Sequence, residues 1–362
     1  MDRNNTLAEC MSRDRAGDNV NYRASGRLEY VDSIRGLAAF GVVIAHFVVP
    51  LYANSSFFFN YLFDLGKIGV VLFLIISGFI IPFSFKVHNG GVKAFLISRF
   101  FRLYPAYWFS LFAFLISSYF VGKAFPFYQI LANATMLQAA IGIRDIVGVY
   151  WTLFIELIFY CLCIALFVVG ILNKVRPNFL LSLFMLFIAL LLGIVRYFSS
   201  LSLPVALPLA LSLMMFGGMW RAFVLHGDLF AKKMCLNYIL IYVIVIPVIC
   251  HFAYGGIFSY GIRYVITYYV SVILFVVFTT KIRLTNDFLT YLGTISYSLY
   301  LIHPSVLVFF EHFSRGLSPG VKLLFAIAGV VVTIPISHVI FKLIEEPSIN
   351  FGRKVKRLLV SS

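Results

Sequence analysis

Residues 30–50 read YVDSIRGLAAFGVVIAHFVVP, an apolar stretch that carries two ionisable residues, Arg35 and His46. Its length falls within the range of about 17 to 25 residues that a helix needs to cross the hydrocarbon core of a membrane. Ionisable side chains are costly in hydrocarbon, so each is by default a candidate functional residue with a partner in the bundle. The stretch therefore predicts a membrane-spanning helix that contributes to a functional site.

The whole chain has the composition of a polytopic membrane protein. Of its 362 residues, 62% are hydrophobic and only 12% are charged, and its mean hydropathy is +0.97. A soluble domain of this size could not solvate such a surface. We therefore predict an all-α fold, a polytopic bundle of about ten transmembrane helices. The predicted spans are 33–51, 68–85, 103–121, 150–172, 179–198, 203–220, 236–254, 261–280, 288–310 and 322–344.

The net charge of +15 is explained by membrane topology, because the basic residues are distributed unevenly between alternate loops. Placing the N-terminus in the cytoplasm puts most of the 29 Lys and Arg residues on that side. An even number of helices then predicts that both termini are cytoplasmic. We expect a lipid bilayer as the surroundings of the chain, and no nucleic-acid partner.

The sequence divides into three regions. Residues 1–29 form a polar N-terminal tail, which lacks the apolar core and cleavage site of a signal peptide. Residues 30–350 form the membrane domain, and residues 351–362 form a basic cytoplasmic C-terminal tail. The five cysteines lack the spacing of metal ligands, so we expect no disulfide framework and no metal site.

Arg35 and His46 are predicted to face the same way along the first helix. Eleven residues turn a helix through about 1100°, which is about 20° past three full turns, over a rise of about 16 Å. The pair would form a polar stripe that points into the bundle, with Arg35 near the inner boundary. The structural alternatives are a snorkelling anchor for Arg35 and an interhelical hydrogen bond for His46.

Further polar or small residues lie in the second predicted helix and in the cytoplasmic segment 86–102 that follows it. The stretch FLIISGF places Ser77 and Gly78 among bulky apolar residues, where small side chains allow helices to approach closely. The stretch FLISRFFRLYP carries Arg99 and Arg102, which share one face of a helix and could hold a phosphate group. A simple positive-inside anchor is the alternative for the two arginines.

The fourth predicted helix begins with WTLFIEL, in which Glu156 lies five residues after Trp151. Trp151 fits an interfacial aromatic belt. An unpaired carboxylate at the depth of Glu156 would be costly, so it needs a partner or a watery cavity. We expect that partner to be His46, which reaches a similar depth from the other side.

The end of the chain contains two more polar motifs. In TISYSLYLIHPSV, Pro304 follows His303 and predicts a kink, because a proline leaves a carbonyl of the preceding turn without its donor. Tyr297 lies in the same stretch. In FKLIEEPSINF, Glu345 and Glu346 precede Pro347, which predicts a helix stop with acids that pair with basic residues in a structural role.

These motifs, in this order and spacing, resemble the acyltransferase 3 family over about residues 30 to 350. The family comprises integral-membrane O-acyltransferases of bacterial cell-surface carbohydrates. The resemblance implies ten core helices, no bound cofactor and cytoplasmic acyl-CoA as the co-substrate. It also implies a carbohydrate acceptor that is reached from the periplasmic side of the inner membrane or within the bilayer. It also implies that Arg35 and His46 match the essential pair of the family, and that Arg99 and Arg102 match its basic motif.

Acyl transfer from a thioester to a hydroxyl needs a base for the hydroxyl proton, and histidine suits this role because its pKa lies near neutral pH. We expect His46 as general base, Glu156 orienting its ring or contacting the acceptor, and Arg35 holding polar groups of the donor. The expected roles of the other residues are donor binding for Arg99, Arg102, Ser77 and Gly78, and an acceptor or structural role for Trp151, Tyr297 and His303. Direct transfer and a covalent acyl-enzyme both remain open.

Two further questions remain open at this level. A transporter or flippase of a lipid-linked saccharide would also have many helices with buried polar groups. Acetyl is the default acyl group and a polysaccharide the default acceptor, because these are the commonest in the family. Succinyl or longer chains, and lipopolysaccharide O-antigen, exopolysaccharide, lipid-linked sugars or small glycosylated metabolites, are the alternatives.

Overall fold

A computed structural model describes residues 28–52, 62–85, 90–199, 201–256 and 261–360. Most of the predicted tail 1–29 lies outside these ranges. The described residues form an all-helical bundle. Short helical segments at Val49–Tyr52, Pro82–Ser84, Phe127–Ala134 and Gln138–Ile141 connect the main helices. The main helices are α1 Glu29–Phe47, α2 Leu65–Ile80, α3 Gly91–Phe120, α4 Trp151–Val168, α5 Val175–Ser199, α6 Ala206–His226, α7 Leu229–Ala253, α8 Ile262–Thr280, α9 Asp287–Thr294, α10 Ser296–Phe313, α11 Pro319–Ile340 and α12 Glu346–Val360.

The predicted bundle of about ten spans is confirmed. Within the described ranges, nine helices are long and apolar enough to cross a membrane, and the bent pair α9 and α10 makes a tenth if it counts as one span. The predicted boundaries fall inside or near these helices. The main difference is α3, whose 30 residues extend over about 45 Å and include residues 91–102 of the predicted cytoplasmic segment.

The sharpest break near the predicted kink at Pro304 lies before α10. Pro304 lies inside α10, whereas the bend of 75° separates Thr294 from Ser296. At this break the Ser296 hydroxyl donates a hydrogen bond of 2.8 Å to the Gly293 carbonyl, which supplies one of the donors that a broken helix inside a membrane needs.

The predicted helix stop at Pro347 is wrong. A π-helical turn at Phe341–Glu345 joins α11 to α12, and one long helical segment extends over Pro319–Leu359. The wider turn places Pro347 in the first turn of α12, where a missing N–H costs little. Residues 351–360 are therefore helical, and Gly352 packs against Phe101 of α3. The expected pairing of Glu346 with a basic residue is confirmed, because Lys342 Nζ lies 2.9 Å from its carboxylate.

Glycines allow the central helices to touch through their backbones. A Cβ atom on Gly78 of α2 would collide with the Met214 carbonyl of α6, and one on Gly217 of α6 would collide with the Ile75 carbonyl of α2. The same reciprocal contact joins α1 to α9 at Gly36 and Gly293. The close helix approach predicted at Gly78 is therefore confirmed, and these contacts fix the helices that surround the site.

We predict that Gly217→Ala destabilises the protein by about 1 to 3 kcal/mol, because the added methyl group must push α6 away from the α2 backbone. Thermal unfolding in detergent, followed by intrinsic fluorescence, measures the effect. Gly320→Ala in α11 is the matched control, since its Cβ would meet no atom within 4 Å. Equal unfolding temperatures for the two variants would contradict the proposed packing.

Candidate functional site

A cavity of about 870 Å³, the main cavity, opens between α1, α2, α3, α4, α6, α10 and the junction of α11 with α12. Ligand and cofactor sites generally have volumes of about 300 to 1,000 Å³. Its charged and polar lining includes Asp32, Arg35, Ser77, Arg99, Arg102, Glu156, Arg221, Tyr297, Lys342, Glu345, Glu346 and Arg353. In this lining six basic residues face four acidic ones, which favours an anionic ligand.

The arginines Arg99 and Arg102 line the main cavity together, as their spacing predicts. The Arg99 guanidinium lies 5.2 Å from the centre of the Phe95 ring and 5.5 Å from that of Tyr160. These cation–π contacts orient the guanidinium without neutralising it. Among the residues that the structure describes, neither arginine forms an ion pair. Both charges therefore remain for a ligand.

Arg35 also faces the main cavity. Its guanidinium lies 3.7 Å from the Asp32 carboxylate one turn earlier, and the two side chains are 19% and 13% exposed. This distance is too long for a strong charge-assisted hydrogen bond. Arg35 is therefore held in place by a loose ion pair and can also contact a second anion.

Arg221 is a cavity residue that the sequence did not single out from the other basic residues. Its Nη1 donates a hydrogen bond of 3.2 Å to the Phe79 carbonyl, and its guanidinium lies 4.5 Å from the centre of the Phe83 ring. No feature of the sequence distinguished it from the other basic residues at helix ends. Its place in the cavity depends on the packing of α6 against α2.

Glu345, which was predicted to be structural, also lies in the cavity wall. Its side chain is buried at the π-helical turn and accepts a hydrogen bond of 2.6 Å from the Ser298 hydroxyl of α10. π-helical turns are frequent at functional sites because they redirect side chains that a regular helix would place elsewhere. The turn thus brings an acid into a mainly basic cavity.

The predicted partnership of Glu156 with His46 is wrong. The Tyr160 hydroxyl, one turn further along α4, donates a hydrogen bond of 2.5 Å to Glu156, which lines the main cavity. His46 pairs with His303 instead, whose Nε2 lies 3.1 Å from its Nδ1. The lateral neighbours of these residues were not predictable from the sequence, because they depend on helix packing, and α1 packs mainly against α2, α9 and α10.

The two histidines form a stacked pair beyond the main cavity, with ring centres 5.0 Å apart. Their hydrogen bonds assign the tautomers. His303 Nδ1 lies 3.3 Å from the Leu299 carbonyl, which can only accept, so a neutral His303 carries its proton on Nδ1. Its Nε2 then accepts from His46 Nδ1–H. The lone pair of His46 is therefore on Nε2, where it can take up a proton.

Tyr300 connects the histidine pair to the main cavity. Its ring lines the cavity, and the ring centre lies 5.9 Å from that of His303. Its hydroxyl donates to the Val149 carbonyl at 3.0 Å and lies 2.8 Å from the Thr152 hydroxyl. These bonds fix the tyrosine between the cavity and the buried histidine.

The remaining predicted site residues fall into different places. Ser77 and Tyr297 line the main cavity, and the Tyr297 hydroxyl bonds to the Leu103 carbonyl at 2.9 Å. Gly78 does not line it, because it contacts α6, and this removes the reason to expect donor binding there. Trp151 lines a second cavity of about 250 Å³ at the other end of α2.

Residues 28–342 match the family model of the acyltransferase 3 family, which is described as an acyltransferase domain. No curated protein and no solved structure matches the chain.

We predict that Ser298→Ala lowers stability by about 1 to 3 kcal/mol, because the buried Glu345 carboxyl loses its hydrogen-bond donor. Thermal unfolding in detergent measures the change. Ser314→Ala is the control, since this hydroxyl bonds to a carbonyl at the exposed end of α10 and its loss should have little effect. A Ser298→Ala variant as stable as the control would contradict the role assigned to this bond.

Proposed function

This chain belongs to the acyltransferase 3 family and is a membrane acyltransferase, and we propose that it transfers an acyl group from acyl-CoA to a hydroxyl of a cell-surface carbohydrate. The proposed location is the bacterial inner membrane, with the main cavity open to the cytoplasm. Acetyl is the simplest donor group. The product would be an O-acylated polysaccharide, lipopolysaccharide O-antigen, exopolysaccharide or lipid-linked sugar.

One observation carries the proposal: a cation-lined cavity includes Tyr300 in its wall, and the Tyr300 ring lies beside the buried His303, which is hydrogen-bonded to His46. Coenzyme A is a long molecule with phosphates at one end and its thioester at the other. Arg99 and Arg102 have no ion-pair partner among the described residues and would bind the phosphates. One guanidinium group can donate two parallel hydrogen bonds to the oxygens of a phosphate. The thioester would then lie near Tyr300.

The exposed rim of the main cavity adds to this donor site. Lys342 and Arg353 line the cavity from the junction of α11 with α12, and both side chains are exposed. Arg35 and Ser77 also line the main cavity and would contact the phosphopantetheine arm. Glu156 lines it too, and its carboxylate would accept a hydrogen bond from an amide N–H of the arm.

In the proposed reaction, His46 Nε2 accepts the proton of the acceptor hydroxyl as its oxygen attacks the thioester carbonyl carbon. The carbon–sulfur bond then breaks, and the proton passes from His46 to the leaving thiolate, so that CoA is released as a thiol. His303 acts through His46, because its Nε2 accepts the Nδ1–H and fixes the tautomer. A covalent acyl-histidine intermediate remains the alternative route.

The competing function is transport of a lipid-linked saccharide. The second cavity, at the other end of α2, is the observation that favours it, because transporters offer a site from either side of the membrane. Transport without chemistry would leave acyl-CoA unchanged. Release of CoA that depends on the acceptor therefore separates the two functions.

We predict that His46→Asn lowers acceptor-dependent release of CoA from labelled acetyl-CoA in proteoliposomes by about 10²- to 10⁴-fold, the usual contribution of a general base. Label transferred to the saccharide is measured in parallel. His312→Asn, on the same helix as His303 but near its exposed end, is the control. Wild-type rates in His46→Asn, at matched amounts of folded protein, would overturn the assigned base.

The role of His303 gives a second prediction. His303→Leu should lower kcat strongly without changing KM for acyl-CoA, because His46 Nδ1–H loses its acceptor. His303→Gln should retain more activity, since its side-chain carbonyl can accept the same hydrogen bond. If both variants lose activity equally, His303 has only a packing role.

Donor binding gives a third prediction. Arg99→Gln and Arg102→Gln should each weaken the binding of CoA by about 10- to 100-fold, since a hydrogen bond to a charged group contributes about 1.5 to 3 kcal/mol. Isothermal titration of CoA into the detergent-solubilised protein measures this affinity. Lys354→Gln, an exposed cation on α12 outside the cavity, is the control. Unchanged affinity in the two arginine variants would exclude the main cavity as the donor site.

A further inference from the structure

The second cavity lies at the opposite end of the bundle from the mouth of the main cavity. Helix α2 runs from Lys67, in the second cavity, to Ile80, in the main cavity. Helix α6 runs in the same direction, from Ala206 in the second cavity to Arg221 in the main one. The two cavities share Val70 and Leu74 as lining residues. A thin apolar wall therefore separates them.

The charged lining of the second cavity is entirely basic. It consists of Lys67 at the start of α2 and Arg196 in the last turn of α5, and no carboxylate belongs to the lining among the described residues. Neither cation has an ion-pair partner in the same part of the chain. The acid closest in sequence, Asp64, is already bound to Arg263 at 2.9 Å. Both positive charges are thus available to an anion.

Aromatic rings complete the lining and hold Lys67 in position. Trp151, Tyr254 and Tyr268 face the cavity. The Lys67 ammonium lies 4.1 Å from the centre of the Tyr264 ring, which stacks on Tyr254 at 3.6 Å. Aromatic faces with a few fixed polar groups are the usual lining of a small-molecule site. Flat rings also suit the C–H faces of sugar rings.

We propose that the second cavity binds the carbohydrate acceptor, and that this acceptor carries an anionic group next to the sugar that is acylated. The inference rests on the proposed function and adds the charge class of the substrate. Lys67 and Arg196 bind the anion, the aromatic rings bind the sugar, and the reacting hydroxyl points towards Val70 and Leu74. From Lys67 to these two residues the rise along α2 is about 5 to 10 Å, the distance of one or two sugar units.

The position of His46 agrees with this assignment. Ala45, the residue before His46, packs against Gly66, the residue before Lys67. The proposed base therefore lies at the level of the second cavity, where the acceptor hydroxyl must lose its proton. The donor thioester would approach the same wall from the main cavity, on the side of Tyr300 and Thr152.

The anionic group could be the carboxylate of a uronic sugar or the diphosphate of a lipid-linked saccharide. Three probes separate these sources: an oligogalacturonate, the same oligosaccharide with its carboxyl groups reduced, and a neutral oligosaccharide linked to polyprenyl diphosphate. Acetyl transfer from labelled acetyl-CoA is measured for each probe. Binding is measured independently as the change in tryptophan fluorescence on addition of each probe. The part of this change that is present in wild type and absent in Trp151→Phe reports on the second cavity.

We expect wild type to use at least one anionic probe about 10-fold or more efficiently, in kcat/KM, than the reduced oligosaccharide. Lys67→Gln combined with Arg196→Gln should abolish this preference through a higher KM for the acceptor, with unchanged affinity for CoA. The control combines Lys123→Gln with Arg315→Gln, two exposed cations outside the cavity. It should retain the preference.

Equal use of the reduced and anionic probes, or an unchanged preference in the double variant, would overturn the proposal and leave the acyltransferase function intact. Absence of both transfer and a Trp151-dependent fluorescence change with every probe would also overturn it. Failure of wild type to bind CoA or to release it from acetyl-CoA would instead contradict the proposed function. In that case the Trp151-dependent fluorescence change would still show whether the second cavity binds the probes.

Discussion

Positive charge inside a membrane protein has to be kept away from lipid, and the arrangement of this bundle follows from that constraint. The main cavity gathers Arg35, Arg99, Arg102 and Arg221 from three different helices. Outside such a cavity each guanidinium would need a partner or would destabilise the helix that carries it. Backbone contacts at Gly36, Gly78, Gly217 and Gly293 hold together the helices that surround the cavity.

The same architecture would separate the two proposed substrates. Coenzyme A and a surface saccharide would lie on opposite sides of the membrane, and only the acyl group would have to pass between them. Two cavities that share Val70 and Leu74 suit this task, because neither proposed substrate would have to cross hydrocarbon. The histidine pair, beside the start of α2 and in contact with Tyr300, would supply the base where the two substrates meet.

The fold was largely predictable from the sequence, because hydropathy and helix length decide which segments cross a membrane. The site was predictable in part. Arg35, Arg99, Arg102, Glu156 and Ser77 were identified by their chemistry, and they line one cavity. The neighbours of a residue on adjacent helices were not predictable. His46 was therefore expected as the partner of Glu156, whereas the structure gives Glu156 a hydrogen bond from Tyr160. Backbone irregularities also escaped prediction, since the π-helical turn that places Glu345 in the cavity has no clear sequence signal.

The most direct test of this account is a cryo-electron microscopy structure of the protein with a non-hydrolysable thioether analogue of acetyl-CoA. The account predicts density for the phosphates beside Arg99 and Arg102, a pantetheine arm that passes Arg35, and the acetyl group beside Tyr300 near the wall formed by Val70 and Leu74. Density for the nucleotide outside the main cavity, or an acyl group that points away from this wall, would contradict it.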